Sequence, residues 1–74
     1  GYSDILIEVP ESRTGIVVEI KYAEDAAFDS SCDKAIQQIE EKHYEAALLG
    51  DGMENIVKYG IACYRKRCKV LLAE

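Results

Sequence analysis

Ser3-Asp4-Ile5-Leu6-Ile7-Glu8-Val9-Pro10, then Glu11-Ser12-Arg13-Thr14-Gly15, then Ile16-Val17-Val18-Glu19-Ile20-Lys21-Tyr22 open the chain as two β-branched, aliphatic runs around a cluster of turn residues. This pattern predicts a β-hairpin, with strands over 3–10 and 15–22. Side chains alternate faces along a strand, so an antiparallel register decides which residues of the two strands stand together. In the first strand Ile5, Ile7 and Val9 share one face, and Asp4, Leu6 and Glu8 the other. In the second, Ile16, Val18 and Ile20 share a face opposite Val17, Glu19 and Lys21. Only one parity unites the two aliphatic sets into a single apolar face, worth roughly 1.5–3 kcal/mol for each side chain fully buried. A slip of one residue would mix Glu19 and Lys21 into it. The aliphatic face is therefore expected to be the buried one.

The same register brings Asp4, Glu19 and Lys21 together on the other face. Directly opposed strand residues have Cβ atoms about 4.5–5.5 Å apart and diagonal ones about 7–8 Å, close enough for two carboxylates to share one cation. Such a pair repels unless it takes up a proton or a hard cation, and Mg²⁺ commonly binds one or two carboxylates together with waters and phosphate oxygens. A neighbouring Lys21 then suits a water or phosphate oxygen near that metal. On spacing alone, the trio fits a solvated charged face as well.

Downstream, Cys32, Ala35, Ile36, Ile39, His43, Ala46 and Ala47 recur at spacings of three and four, which predicts one amphipathic helix from Ser30 or Ser31 to Gly50. Asp33 suits its first turn, and Glu40, Glu41, Lys42 and Glu45 are expected to face mostly water. Asn55 to Tyr64, the basic link Tyr64-Arg65-Lys66-Arg67 and Cys68 to Leu72 read as a second hairpin. The order is ββαββ, an α/β domain with a mixed sheet of about four strands packed on one helix. The single proline, Pro10, ends the first strand without breaking a ladder.

The 74 residues are 49% hydrophobic and 31% charged, with 14 acidic against 9 basic side chains and a net charge of −5. That is one small soluble globular domain, neither disordered nor collagenous. No apolar run approaches a membrane span, and no basic-then-apolar leader opens the chain. Net acidity excludes an unspecific phosphate coat but not a site that recruits metal ions. Gly1 in place of an initiator Met points to a piece excised from a longer protein. Cys32, Cys63 and Cys68 are an odd set, unlike a disulfide framework, so the expected compartment is the cytoplasm.

Ser3-Asp4, followed after about fourteen residues by Glu19-Ile20-Lys21, resembles the core motif of the PD-(D/E)xK nuclease superfamily, also called restriction-endonuclease-like. More narrowly, Gly1-x-Ser3-Asp4-Ile5-Leu6-Ile7-Glu8, Val17-Val18-Glu19-Ile20-Lys21-Tyr22, Ala35-x-x-Gln38-Ile39-Glu40-Glu41-Lys42-x-Tyr44 and Tyr59-Gly60-Ile61-Ala62 are similar to the nuclease-like C-terminal domain of bacterial AAA-ATPase-like proteins. The resemblance covers nearly the whole chain and implies the core of a restriction-endonuclease-like fold. It implies that Asp4 and Glu19 bind Mg²⁺ or Mn²⁺, that the Ile20 carbonyl adds a ligand, that Lys21 assists attack on phosphate, and that Gln38 supports the site from the helix. It further implies nucleic acid, DNA above all, as substrate of the full-length protein, with an ATPase-like domain in the same parent chain. Two departures stand out: Ser3 replaces the name-giving Pro, and the helix that usually precedes the first strand is absent. The rival reading is a catalytically inactive, nuclease-derived scaffold that dimerises or contacts protein or DNA through a sheet edge.

Other features take plainer readings. Arg65-Lys66-Arg67 with Lys69 is a solubilising basic hairpin tip that is also suited to phosphate. Tyr2, Tyr22, Tyr44, Tyr59 and Tyr64 are expected to pack at sheet edges rather than form a site. His43 with the cysteines lacks the paired spacing of a zinc site, and all three cysteines are expected to be buried and reduced, with Cys63 facing Cys68 across the second hairpin. The chain carries no glycine-rich phosphate loop, so nucleotide binding would belong to another domain.

Overall fold

The computed structural model describes residues 2–25 and 27–73, with side chains from Asp4 onward. Gly1 and the side chains of Tyr2, expected to pack at a sheet edge, and of Ser3 lie outside the described residues. β1 (Tyr2–Val9) and β2 (Thr14–Tyr22) flank a short 3₁₀ turn at Pro10–Ser12, which Arg13 closes in the left-handed conformation with φ 52°. α1 (Phe28–Lys42) and α2 (Tyr44–Gly50) cross over to β3 (Asn55–Tyr64), which returns as β4 (Arg67–Ala73). The four strands form one mixed sheet in the order β1-β2-β3-β4. β1 is antiparallel to β2, β2 parallel to β3, and β3 antiparallel to β4. The parallel step is what requires the helical crossover, since a tight turn joins only antiparallel neighbours. This is the expected α/β architecture, the core of a restriction-endonuclease-like fold, with two helices where one was expected.

The hairpin register is the one that the aliphatic parity demands: Ile5 pairs with Val18, Ile7 with Ile16, and Asp4 with Glu19. The buried face, however, is the opposite one. Val17 and Glu19 of β2 and Gly60 and Ala62 of β3 are buried beneath α1, and Val17, Ile39, Leu48 and Met53 form the core with Ile36, Tyr44 and Ile56 packed around it. Small residues decide the choice. A Cβ at Gly60 would lie 2.8 Å from the Cys32 carbonyl oxygen, so the helix backbone rests on this glycine. The aliphatic face carries Ile5 at 48% exposure and Val70 at 56%, with Ile7 and Leu72 also exposed, and no described element covers it.

The helix also departs from the expected single run. α1 begins at Phe28 and ends at Lys42, because His43 adopts a left-handed conformation with φ 56°. His43 is exposed instead of lying on the apolar stripe. Lys58 of β3 clamps the break, donating to Glu40 of α1 at 2.8 Å and to Glu45 of α2 at 3.1 Å. Those carboxylates hold the Lys58 ammonium above its ordinary range.

Of the cysteines only Cys32 is buried, its thiol donating to the Lys69 carbonyl at 3.4 Å. Cys63 is half-buried and Cys68 exposed, contrary to the expectation that all three are buried, although they do pair across the β3–β4 hairpin. The hydrogen bond to Cys68 raises the Cys63 thiol to about 11. The basic tip is partly engaged within the domain: Arg65 lies over Tyr64, Arg67 over Phe28, and Lys69 pairs with Asp29. Among the described residues no helix is long and apolar enough to cross a membrane.

Candidate functional site

Register places Asp4 of the edge strand β1 directly opposite Glu19 of the interior strand β2. Glu19 lies under α1 and is 0% exposed, whereas the side chain of Asp4 keeps 36% of its surface open. A buried carboxylate is costly unless it is paired and hydrogen-bonded. Here the pairing is half complete. Lys42 Nζ donates to Glu19 Oε1 at 3.1 Å, and Glu19 Oε2, also buried, has no hydrogen-bond partner among the described residues.

The same Lys42 ammonium donates to Asp4 Oδ2 at 3.1 Å, and the Tyr44 hydroxyl donates to that oxygen as well. The Tyr44 hydrogen bond first and the Lys42 ammonium second hold the Asp4 carboxyl below the usual carboxylate range. In return, Asp4 raises the Tyr44 phenol and, together with Glu19, raises the Lys42 ammonium. On a continuous helix, residues 42 and 44 would point about 200° apart. The left-handed turn at His43 between α1 and α2 lets both reach one carboxylate.

Lys21 occupies the position two residues beyond Glu19 on the same strand face and is half-buried. It lines a cleft at the start of α1 with Glu24, Asp25, Ser30, Ser31 and Lys34. Gln38 is half-buried on α1, one turn before Lys42. It hydrogen-bonds neither Asp4 nor Glu19 among the described residues, so the contacts that tie α1 to the carboxylates belong to Lys42. Ile20 is an interior residue of β2, paired with Ser3 on one side and Ile61 on the other.

Two residues of this site were not assigned from the sequence. Lys42 was expected to face water and Tyr44 to pack at a sheet edge. The signal available for both was the block Gln38-Ile39-Glu40-Glu41-Lys42-x-Tyr44, which carries them beside Gln38.

The donor set suits a hard divalent cation. Two carboxylates face each other, one of them buried with an oxygen lacking a partner among the described residues, which a cation would satisfy. Among the described residues no cluster of three or more His, Cys, Asp or Glu gathers, so Asp4 and Glu19 would be the carboxylate donors. That fits Mg²⁺, which keeps several waters and needs few protein ligands.

The family model of the PD-(D/E)XK nuclease superfamily matches residues 1–72. No curated protein matches the chain, and no solved structure does. The matched span includes both carboxylates, the E-x-K segment of β2 and the whole crossover, so the chain belongs to the PD-(D/E)XK nuclease superfamily.

Proposed function

We propose that this domain is the core of a metal-dependent nuclease that hydrolyses phosphodiester bonds of nucleic acid. The observation that carries this reading is the opposed pair of Asp4 and the fully buried Glu19, whose Oε2 has no partner among the described residues. In this reading Asp4 and Glu19 hold Mg²⁺ or Mn²⁺, with the Ile20 carbonyl as a further ligand. When bound, the cation supplies Lewis-acid polarisation of the phosphate and lowers the pKa of a coordinated water.

The chain's own residues do the rest. Glu19, immobilised under α1, fixes the site to the interior of the sheet. Tyr44 orients the Asp4 oxygen that it hydrogen-bonds and keeps this carboxyl ionised. Lys21 lies one pleat repeat from Glu19 and bears a charge suited to a phosphate oxygen or to the attacking water, as an electrostatic or general-base helper. Gln38 supports the site from the half-buried face of α1. The four-block resemblance supports nucleic acid, DNA above all, as the substrate and an AAA-ATPase-like domain in a bacterial parent chain, and the odd set of three cysteines supports a cytoplasmic setting.

The test is cleavage of duplex DNA in Mg²⁺ by the parent protein and by its Glu19→Gln and Lys21→Ala variants. Each variant is expected to lose about 10²-fold or more in rate, the scale set by removing one preorganised electrostatic group. Unchanged rates in both variants, with the fold intact, would reject the assignment.

A further inference from the structure

The feature that the proposed mechanism leaves unused is the place taken by the Lys42 ammonium. It lies 3.1 Å from Asp4 Oδ2 and 3.1 Å from Glu19 Oε1, in the space that any cation shared by the two carboxylates must enter. One ammonium does not satisfy the pair, since Glu19 Oε2 remains without a partner among the described residues. The members of the cluster also differ in their freedom to move. Glu19 is buried on an interior strand, whereas Lys42 keeps 36% of its side-chain surface exposed and hangs on a flexible stem at the last residue of α1.

We propose that Lys42 is a resident counter-ion: it holds the Asp4–Glu19 pair together in the metal-free protein and swings out when a divalent cation binds, so that metal affinity is set by competition with the chain's own ammonium. This rests on the metal-site reading above. Without a cation, two opposed carboxylates repel, and the ammonium relieves that repulsion. With a divalent cation in place, the ammonium becomes the repelled group, and its exposed stem gives it a route to solvent. Lys42 is on this account a positioning residue of the metal-free state, and its removal acts oppositely in the two states.

The experiment is calorimetric titration of Mn²⁺ into the 74-residue chain, its Lys42→Gln and Lys42→Arg variants, and an Asp4→Asn variant that marks the site. Lys42→Gln is expected to bind Mn²⁺ about tenfold more tightly, within the range usual for coupled sites. In chelator it should melt below the unaltered chain, and Mn²⁺ should raise its Tm by more. Lys42→Arg keeps the charge that the metal-free pair needs and grips two carboxylates with a planar fork, so it should bind Mn²⁺ several-fold more weakly. It serves even if Lys42→Gln fails to fold. Mn²⁺ binding that Asp4→Asn abolishes but both Lys42 variants leave unchanged would overturn the counter-ion role while sparing the metal site. Absence of any Asp4-dependent binding in the unaltered chain would overturn both.

Discussion

Asp4 and Glu19 are direct partners across the β1–β2 ladder, yet Glu19 is sealed under α1 while Asp4 stands on the open edge strand. The two carboxylates therefore differ in freedom. Glu19 is positioned by packing, and Asp4 by the Tyr44 hydroxyl and the Lys42 ammonium. The tether of Asp4 is built from α1, α2 and the break between them, so the geometry of the site depends on a helix end some forty residues away in sequence.

The tether has a pH signature in metal-free buffer. Asp4 is held below its ordinary value, so its contribution to stability is present above about pH 3.9 and is lost as pH falls through the folded value. Tyr44 is raised, so its contribution is present below about pH 10 and is lost as pH rises through the folded value. Tyr44→Phe removes the shared hydrogen bond. The gap in Tm between the unaltered chain and this variant should be widest between these limits and narrow towards both, and a gap indifferent to pH would contradict the tether.

The break at His43 is open to a sign test. A left-handed conformation costs an ordinary L-residue roughly 1–2 kcal/mol, more readily borne by histidine than by a β-branched side chain. Since His43 sits at φ 56°, His43→Gly should be neutral or stabilising and His43→Val destabilising by about 1–2 kcal/mol in urea unfolding. If α1 and α2 were one continuous helix, glycine there would instead cost about 1 kcal/mol.

Gly60 is the floor on which α1 rests. An added methyl would meet the Cys32 carbonyl oxygen at 2.8 Å and Ile36 at 2.9 Å, so Gly60→Ala must displace the helix that buries Glu19. A loss of about 1–3 kcal/mol is expected, the usual cost of overpacking. Gly15→Ala, whose methyl would meet side-chain rather than backbone atoms, those of Leu48, should cost less. Equal losses would mean that α1 does not rest on Gly60.

The hairpin register was legible because hydrophobic parity has a single solution, and with it came the pairing of Asp4 with Glu19. Parity states which residues share a face, not which face a helix takes. Ile5, Ile7, Val18 and Ile20 promised the core, but the helix lies where Gly60 leaves room for its backbone. That signal sat in β3, outside the hairpin reasoning. The turn at His43 was hidden because the apolar spacing of three and four runs through it, and with it went the convergence of Lys42 and Tyr44 on Asp4. Lys21 was legible from the hairpin register and the family resemblance together and Gln38 from the resemblance alone, whereas the helix residue that donates to Glu19 is Lys42.

The two sheet faces should respond differently to truncation. Ile39→Ala removes a core side chain and should cost about 2–5 kcal/mol, whereas Ile7→Ala, on the open face at 43% exposure, should cost less than about 1 kcal/mol. Denaturant midpoints measure both. Equal losses would place the core on the aliphatic face after all.

The decisive measurement is amide-resolved NMR during Mn²⁺ titration of this chain and of an Asp4→Asn variant. The expected result is selective paramagnetic broadening around Asp4, Glu19 and Ile20 that the variant loses. Diffuse broadening along Glu40, Glu41 and Glu45, unchanged in the variant, would mean that Asp4 and Glu19 do not form a metal site and would contradict the nuclease reading of this domain.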